Sequence, residues 1–264
     1  MVANTSERTP YPGFQIASNK RIANRLLANV GLPAPAQSVA SHADGAVRAA
    51  EQMGYPVVVK PAISDFGIGV TAGIGDEAAL RAAFARAQAV GRGVLIEKHL
   101  EGDEYRLLVI VGRFVAAARR VPGHVVGDGE HTVIELVDLL NRDPRRAAHK
   151  RGVLSPLEFD QEAKQHVRAA GLTPQSVLPA GQRLVLRSIS NLSRGGSSVD
   201  VTDQVHPDNQ AAAVLAARVL RLDIAGADFI VPDISRSWKE TGGGFCEVNP
   251  APGFRLHFAP AQGQ

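Results

Sequence analysis

Apolar residues recur along this chain in two rhythms, one close to 3.6 residues and one of two. Ile22, Leu26, Leu27 and Val30 share a helical face behind Ser18, a residue suited to an N-cap, and Gly31 offers a stop. Leu32-Pro33-Ala34-Pro35 reads as an extended exit. A second helix is expected from Ser41 to Met53, and a third behind Asp76 with Leu80, Ala83, Phe84 and Ala87 inward. Val57-Val58-Val59-Lys60-Pro61 and Val94-Leu95-Ile96-Glu97-Lys98 read as short buried strands. Residues 1–17 show no helical period and contain Pro10, Pro12 and Gly13, so they are expected to form a tail or linker.

The second half begins with strands Tyr105 to Val111 and Arg113 to Arg120, joined at Gly112. Thr132 and Glu135 have the spacing of a capping box for a helix through Leu140. Residues 142–182 are basic and weakly periodic, with one helix near 161–170. A strand from Leu184 to Ile189, the loop Ser190 to Ser198 and a helix from Asp208 to Leu220 follow. Two strands near 225–231 and 245–249 come last. Helices and strands interleaved in this way predict an α/β or α+β protein.

A length of 264 residues allows one large or two small domains with a sizeable core. Lys plus Arg number 29 against 26 Asp plus Glu, a net +3 that does not suggest nucleic acid as a partner. No apolar run reaches the roughly 18 residues of a membrane span, and the N-terminus lacks the apolar core of a signal peptide. The single Cys246 leaves no internal disulfide and fits a reducing compartment, so a cytoplasmic location is expected; strand alternation turns Cys246 away from Glu247, into the core.

Candidate chemistry gathers at a few places. Lys60 ends an apolar strand and precedes the glycine loop Ser64 to Val70. It either snorkels at the strand end or meets an anion, and Gly67 and Gly69 would then cover phosphate with backbone N–H groups. The Gly67-x-Gly69-x-x-Ala72 spacing opens no capped helix, so a dinucleotide fold is rejected, and no Gly-x-x-x-x-Gly-Lys-Ser/Thr loop is present. The linker from Glu97 and Lys98 through Leu100 to Glu104 is either a charged surface turn or a seat for adenine, with Glu104 reaching ribose hydroxyls. Glu247 and Asn249 share a strand face. If the last two strands pair antiparallel about position 238, Asp228 falls opposite residues 247–249. These three side chains form either a buried polar network or a hard oxygen site suited to Mg²⁺. Arg187 and Arg255 flank small-residue loops and are candidates to clamp a carboxylate or phosphoryl group, surface salt bridges being the simpler reading of each. Arg142, Arg145, Arg146, Lys150 and Arg151 make a solvated face or a contact for an acidic substrate.

Taken in order, Ser18-Asn19-Lys20, Val57 to Pro61, Ile96 to Leu100, Gly102 to Arg106 and Glu247-Val248-Asn249 resemble the ATP-grasp carboxylate–amine ligases. The stretches Val126 to Val133, Asn141 to Arg146, Val199 to Asp203 and Val248 to Arg255 make the chain similar to the cyanophycin synthetase branch of that family, over about residues 18–262. Two local departures stand out. Ala23-Asn24 replaces the family's Thr-Lys pair, and Asp65, Phe66 and Ile68 make the glycine loop closer to that of bifunctional glutathione enzymes.

The resemblance implies an α+β ATP-grasp fold with nucleotide between two lobes, 18–98 and 99–264, the second with a lid-like insertion near 142–182. It implies ATP and Mg²⁺, with Mn²⁺ as a substitute. Lys20 and Lys60 would hold phosphates, Glu97, Lys98, Leu100 and Glu104 the nucleoside, Asp228, Glu247 and Asn249 the metal, and Arg187 and Arg255 the carboxylate. The expected reaction is amide formation through an acyl phosphate, with an amino acid and a peptide or other carboxylate as substrates. Asp addition is the first expectation; a glutathione- or dipeptide-type ligase and a non-catalytic ATP-binding module are the alternatives. Arg addition would need the P-loop domain of a whole cyanophycin synthetase. A homo-oligomer or further domains would complete the assembly.

Overall fold

The computed structural model describes residues 6–62, 68–91, 93–146, 153–258 and 260. In chain order these form helices α1 (Tyr11–Ser18) and α2 (Lys20–Asn29), strand β1 (Gln37–Ala40), helix α3 (Ala43–Met53), strands β2 (Val57–Pro61) and β3 (Thr71–Ile74), helix α4 (Glu77–Val90) and strands β4 (Val94–Lys98), β5 (Asp103–Ile110), β6 (Arg113–Val121) and β7 (His124–Val126). Helices α5 (Val133–Asn141) and α6 (Gln161–Ala169), strands β8 (Arg183–Val185) and β9 (Ser197–Asp200), helix α7 (Pro207–Val219), strand β10 (Ile224–Val231), helix α8 (Trp238–Thr241), strand β11 (Gly244–Asn249) and helix α9 (Arg255–Phe258) follow.

Several boundaries depart from the pattern reading. Tyr11–Ser18 is helical where no helix was expected. Pro10 is its N-cap and Pro12 lies in its first turn, where a missing N–H costs nothing. The cap of α2 is Asn19, whose side chain accepts from the Ile22 N–H at 3.2 Å, and Ser18 instead closes α1. Strands β1 and β3 are too short for period two to mark them, and β8 stops at Val185 rather than Ile189. The Thr132–Glu135 capping box forms as the spacing predicts.

Contacts group the chain into two compact units, residues 1–117 with 202–253 and residues 118–201 with 254–264. In the first, β1-β4-β2-β3 form an antiparallel sheet under α3 and α4. Val57 and Val59 of β2 and Val94 and Ile96 of β4 are buried against Ala46, Ala50, Leu80, Ala83 and Phe84 of the helices. Each large side chain withdrawn from water there contributes about 1.5–3 kcal/mol. Alternation puts Lys60 and Glu97 on the sheet's other face. In the same unit β10 lies between β5 and β11, antiparallel to both. Helix α7 packs against β5 and β10, and α2 against β11.

In the second unit, β6 from Ala118 pairs with β9, and β7 pairs with β8. Its core joins Val125, Val133, Leu136, Val137 and Leu184 with Leu157, Ala163, Val167 and Leu178. Four residues of the basic 142–182 segment are thus fully buried in that core, while 147–152, including Lys150 and Arg151, lie outside the described residues.

Candidate active site

The site of the first unit is built on a row of side chains crossing three strands. Asp228 on β10 pairs with Arg106 on β5 and, on its other side, with Glu247 on β11. Arg106 grips the Asp228 carboxylate with two nitrogens, Nε on Oδ1 and Nη2 on Oδ2, the latter at 3.0 Å. Both residues are buried. Burial opposes the Arg106 charge, but Asp228 outweighs it and holds the guanidinium above its ordinary value. Lys20, the first residue of α2, places Nζ 3.3 Å from Glu247 Oε1. The row therefore alternates as cation, two carboxylates, cation, which removes the repulsion that two facing carboxylates would otherwise suffer.

Asn249 lies two residues beyond Glu247 and donates Nδ2 to Asp228 Oδ2 at 3.2 Å and to the Gly226 carbonyl at 3.4 Å. With its nitrogen turned inward, the amide has its oxygen to offer a ligand. Asp228, Glu247 and Asn249 are thus gathered as the sequence predicts, and their hard oxygen donors fit Mg²⁺. Among the described residues no group of three or more His, Cys, Asp and Glu side chains has metal-site geometry. A cation here would have two carboxylates and an amide from the protein, and would need phosphate or water oxygens to complete its shell.

The ladder between β10 and β11 carries a β-bulge, because Asp228 pairs with Glu247 while Phe229 pairs with Phe245. Cys246 is the extra residue. A bulge interrupts the strict alternation on which the expectation for Cys246 rests. Burial pushes the Cys246 thiol up, Asp228, Glu104 and Glu247 add to that, and Lys60 opposes it. A small cavity beside it is lined by Lys20, Ala23, Asn24, Leu27, Cys246 and Glu247. Ala23 and Asn24, where the resembling family has Thr and Lys, thus border the row directly, and Asn24 donates to the Pro35 carbonyl at 3.2 Å.

On the face of the other sheet turned from α3 and α4, Lys60 Nζ lies 2.5 Å from Glu97 Oε2, both side chains being more than nine-tenths buried. Gln37, opposite Glu97 in the β1–β4 ladder, donates Nε2 to the other carboxylate oxygen. Lys98 turns the other way, its Nζ donating to the carbonyls of Gly54 at 2.9 Å and Tyr55 at 3.3 Å. Leu100 is half-buried in the segment joining β4 to β5. Glu104 pairs with Ile230 and, by alternation, shares the face of Arg106. Gly67 lies outside the described residues. Gly69 has φ 76°, and a Cβ there would sit 2.9 Å from Pro61 Cγ, so the turn beyond β2 needs glycine on both counts.

Arg187 and Arg255 belong to the second unit. Arg187 is buried, with Nη1 2.6 Å from Asp160 Oδ1, Nη2 donating to the Glu158 carbonyl at 2.6 Å and Nε to the Arg194 carbonyl at 3.2 Å. Arg120 donates to the Ser190 carbonyl at 3.2 Å and to Asn191 Oδ1 at 3.1 Å. Together they fasten the 190–194 loop. Arg255 opens α9 and is exposed. Pattern reading assigned no role to Arg106, Gln37 or Arg120. The signal for Arg106 was a charge inside an apolar strand, which demands a buried partner.

Residues 19–173 match the family described as carbamoyl-phosphate synthase L chain, ATP binding domain. The chain is 40% identical over 264 residues to the cyanophycin synthetase of a Nostoc species, covering 100% of this chain and 29% of that protein. Its fold is similar to a bifunctional glutathione synthetase from Pasteurella multocida, with TM-score 0.71, 30% identity, and coverage of 99% of this chain and 36% of the other. The ATP-grasp ligase PsnB, at 15% identity and TM-score 0.51 over 94% of this chain and 56% of its own, shares the fold. The chain spans about three-tenths of the length of the curated relatives it matches. It belongs to the carbamoyl-phosphate synthase L chain ATP-binding-domain family, and is an ATP-grasp region similar to that of cyanophycin synthetase.

Proposed function

We propose that this chain is the ATP-dependent centre of a carboxylate–amine ligase. The observation that carries the reading is the row Arg106, Asp228, Glu247 and Lys20 with Asn249 beside it: hard oxygen ligands and a phosphate-seeking ammonium within one small volume. Lys20 and Lys60 hold phosphate oxygens, with Gly67 and Gly69 over them. Glu97, Lys98 and Leu100 border the adenine, and Glu104 takes the ribose hydroxyls. The nucleotide is bound between a lobe of residues 18–98 and one beginning at 99. Asp228, Glu247 and Asn249 would hold Mg²⁺, which when bound neutralises phosphate charge.

A substrate carboxylate oxygen attacks the γ-phosphorus, the bond to ADP breaks, and an acyl phosphate forms. An amine then attacks the acyl carbon, phosphate leaves, and the amine's proton passes to solvent. The chain's own contribution is positioning and charge stabilisation. Exposed Arg255 is assigned to the substrate carboxylate. Arg187 serves by holding the 190–194 loop in place. Water exclusion by a lid near 142–182 protects the acyl phosphate.

The likeness to cyanophycin synthetase supports Asp as the amino acid added and a peptide as its acceptor. A glutathione-type reaction is the second reading, favoured by the likeness to the bifunctional glutathione synthetase. The cytoplasm is the proposed location; among the described residues no helix is long and apolar enough to cross a membrane. The test supplies ATP, Mg²⁺, a short acidic peptide primer and Asp, Arg, Glu, Gly and Cys together, and reads phosphate release and product masses. Asp-extended primer is expected. A Gly-extended product moves the chain to the glutathione-type reading, and tight ATP binding without product to a binding module.

A further inference from the structure

Lys20 stands where a cation would have to stand. Its ammonium lies 3.3 Å from Glu247 Oε1, and its side chain is only 18% exposed, so it is held beside that carboxylate rather than sampling solvent. Across the row, Asp228 has both oxygens on Arg106. The two carboxylates are thus already balanced by two protein cations, and a bare divalent ion arriving at Glu247 meets an ammonium at contact range. A polyphosphate changes this balance. It offers Lys20 a denser negative charge than one carboxylate does, and drawing the ammonium away exposes Glu247 to the ion the phosphates carry.

We propose that this row admits a divalent cation only as its complex with a nucleoside polyphosphate, and that Lys20 is the residue that sets this preference by occupying Glu247 until phosphate takes it. The inference rests on the nucleotide reading above and adds the form in which the ligand enters. Arg106 stays on Asp228 throughout, since it is buried on the far side of the ladder from Glu247.

The test is the binding of free Mn²⁺, followed by its electron paramagnetic resonance signal, to the wild-type chain, Lys20→Met, and Lys20→Met with Glu247→Gln. Lys20→Met keeps the apolar stem and removes the charge. It is expected to bind free Mn²⁺ at least fivefold more tightly than wild type, while losing about tenfold in affinity for a fluorescent ATP analogue. The gain should vanish in the double variant. Equal or weaker Mn²⁺ binding by Lys20→Met overturns the proposal, as does a gain that survives Glu247→Gln. Circular dichroism checks folding, and Lys20→Gln replaces the methionine variant if that one fails to fold. Wild-type chain that binds no Mn²⁺–ATP analogue overturns the nucleotide reading itself; binding of the analogue with no Mn²⁺ gain overturns this inference alone.

Discussion

Asp228 and Glu247 stand directly opposite each other in the β10–β11 ladder, and the next step of that ladder skips Cys246. Bulges bend a strand and re-aim its residues, and this one lies at the point where α2 delivers Lys20.

Glu247→Gln keeps the shape and removes the charge. It should lower Mg²⁺-dependent turnover by about a hundredfold or more while the circular dichroism spectrum stays that of wild type. Wild-type turnover in this variant would remove Glu247 from the metal set.

Lys60→Ala should weaken ATP far more than adenosine, by about 1.5–3 kcal/mol for a lost charge-assisted hydrogen bond, or roughly tenfold to a hundredfold. It should also destabilise the fold by about 3–5 kcal/mol, because Glu97 is left buried without its cation. Adding Glu97→Gln should recover part of that loss. Calorimetric titration and urea unfolding read the two effects separately, and equal loss for ATP and adenosine would show that Lys60 does not touch phosphate.

Arg187→Ala should cost about 3–5 kcal/mol in urea unfolding, since its buried guanidinium binds the Asp160 carboxylate and the carbonyls of Glu158, Leu186 and Arg194. Arg194→Ala, from a side chain 40% exposed, should cost no more than about 1 kcal/mol. Similar losses from the two would contradict the part given to Arg187 in fastening its loop.

The turn before α5 should respond to pH. Asp128 accepts the N–H groups of His131 and Glu130, each at 2.9 Å, and lies 2.6 Å from His131 Nδ1. These bonds hold its carboxyl far below the ordinary 3.8. The same pair holds the His131 imidazolium above its ordinary 6.5. The Asp128 contribution to stability is present above the ordinary carboxylate value and is lost as pH falls through the depressed one. The His131 contribution is present below 6.5 and is lost as pH rises through the raised value. Asp128→Asn should return the His131 midpoint to its ordinary range in an NMR titration. An unmoved midpoint would rule out the pairing.

Val111→Asn should stabilise the chain by about 1 kcal/mol, seen as a rise in Tm. Val111 has φ 49° and Gly112 φ 69° in the two-residue turn between β5 and β6, and a β-branched residue is strained there. A fall in Tm would mean that the valine side chain, 55% exposed, is making a contact worth more than that strain.

Local pattern alone determined the longer helices and strands, the Thr132–Glu135 box, and the strand alternation that sets Glu247 with Asn249 and brings Asp228 opposite. These follow from spacings of two to four residues, or from one short antiparallel return, which physical chemistry fixes along the chain. Tertiary structure decided the rest. Arg106 finds Asp228 across 122 residues of sequence, a pairing that no local period encodes. The bulge at Cys246 arises from how two strands mesh, which strict alternation along one strand does not encode. Lys98, one residue beyond Glu97, leaves the Lys60 pair for the carbonyls of Gly54 and Tyr55 because a strand sends neighbours to opposite faces. Helix α1 was illegible for a related reason. Gly13 is buried, and a Cβ there would come within 2.9 Å of the Leu220 and Arg221 carbonyls, so the segment that reads as a proline-rich tail is packed against the end of α7, a surface that exists only after folding.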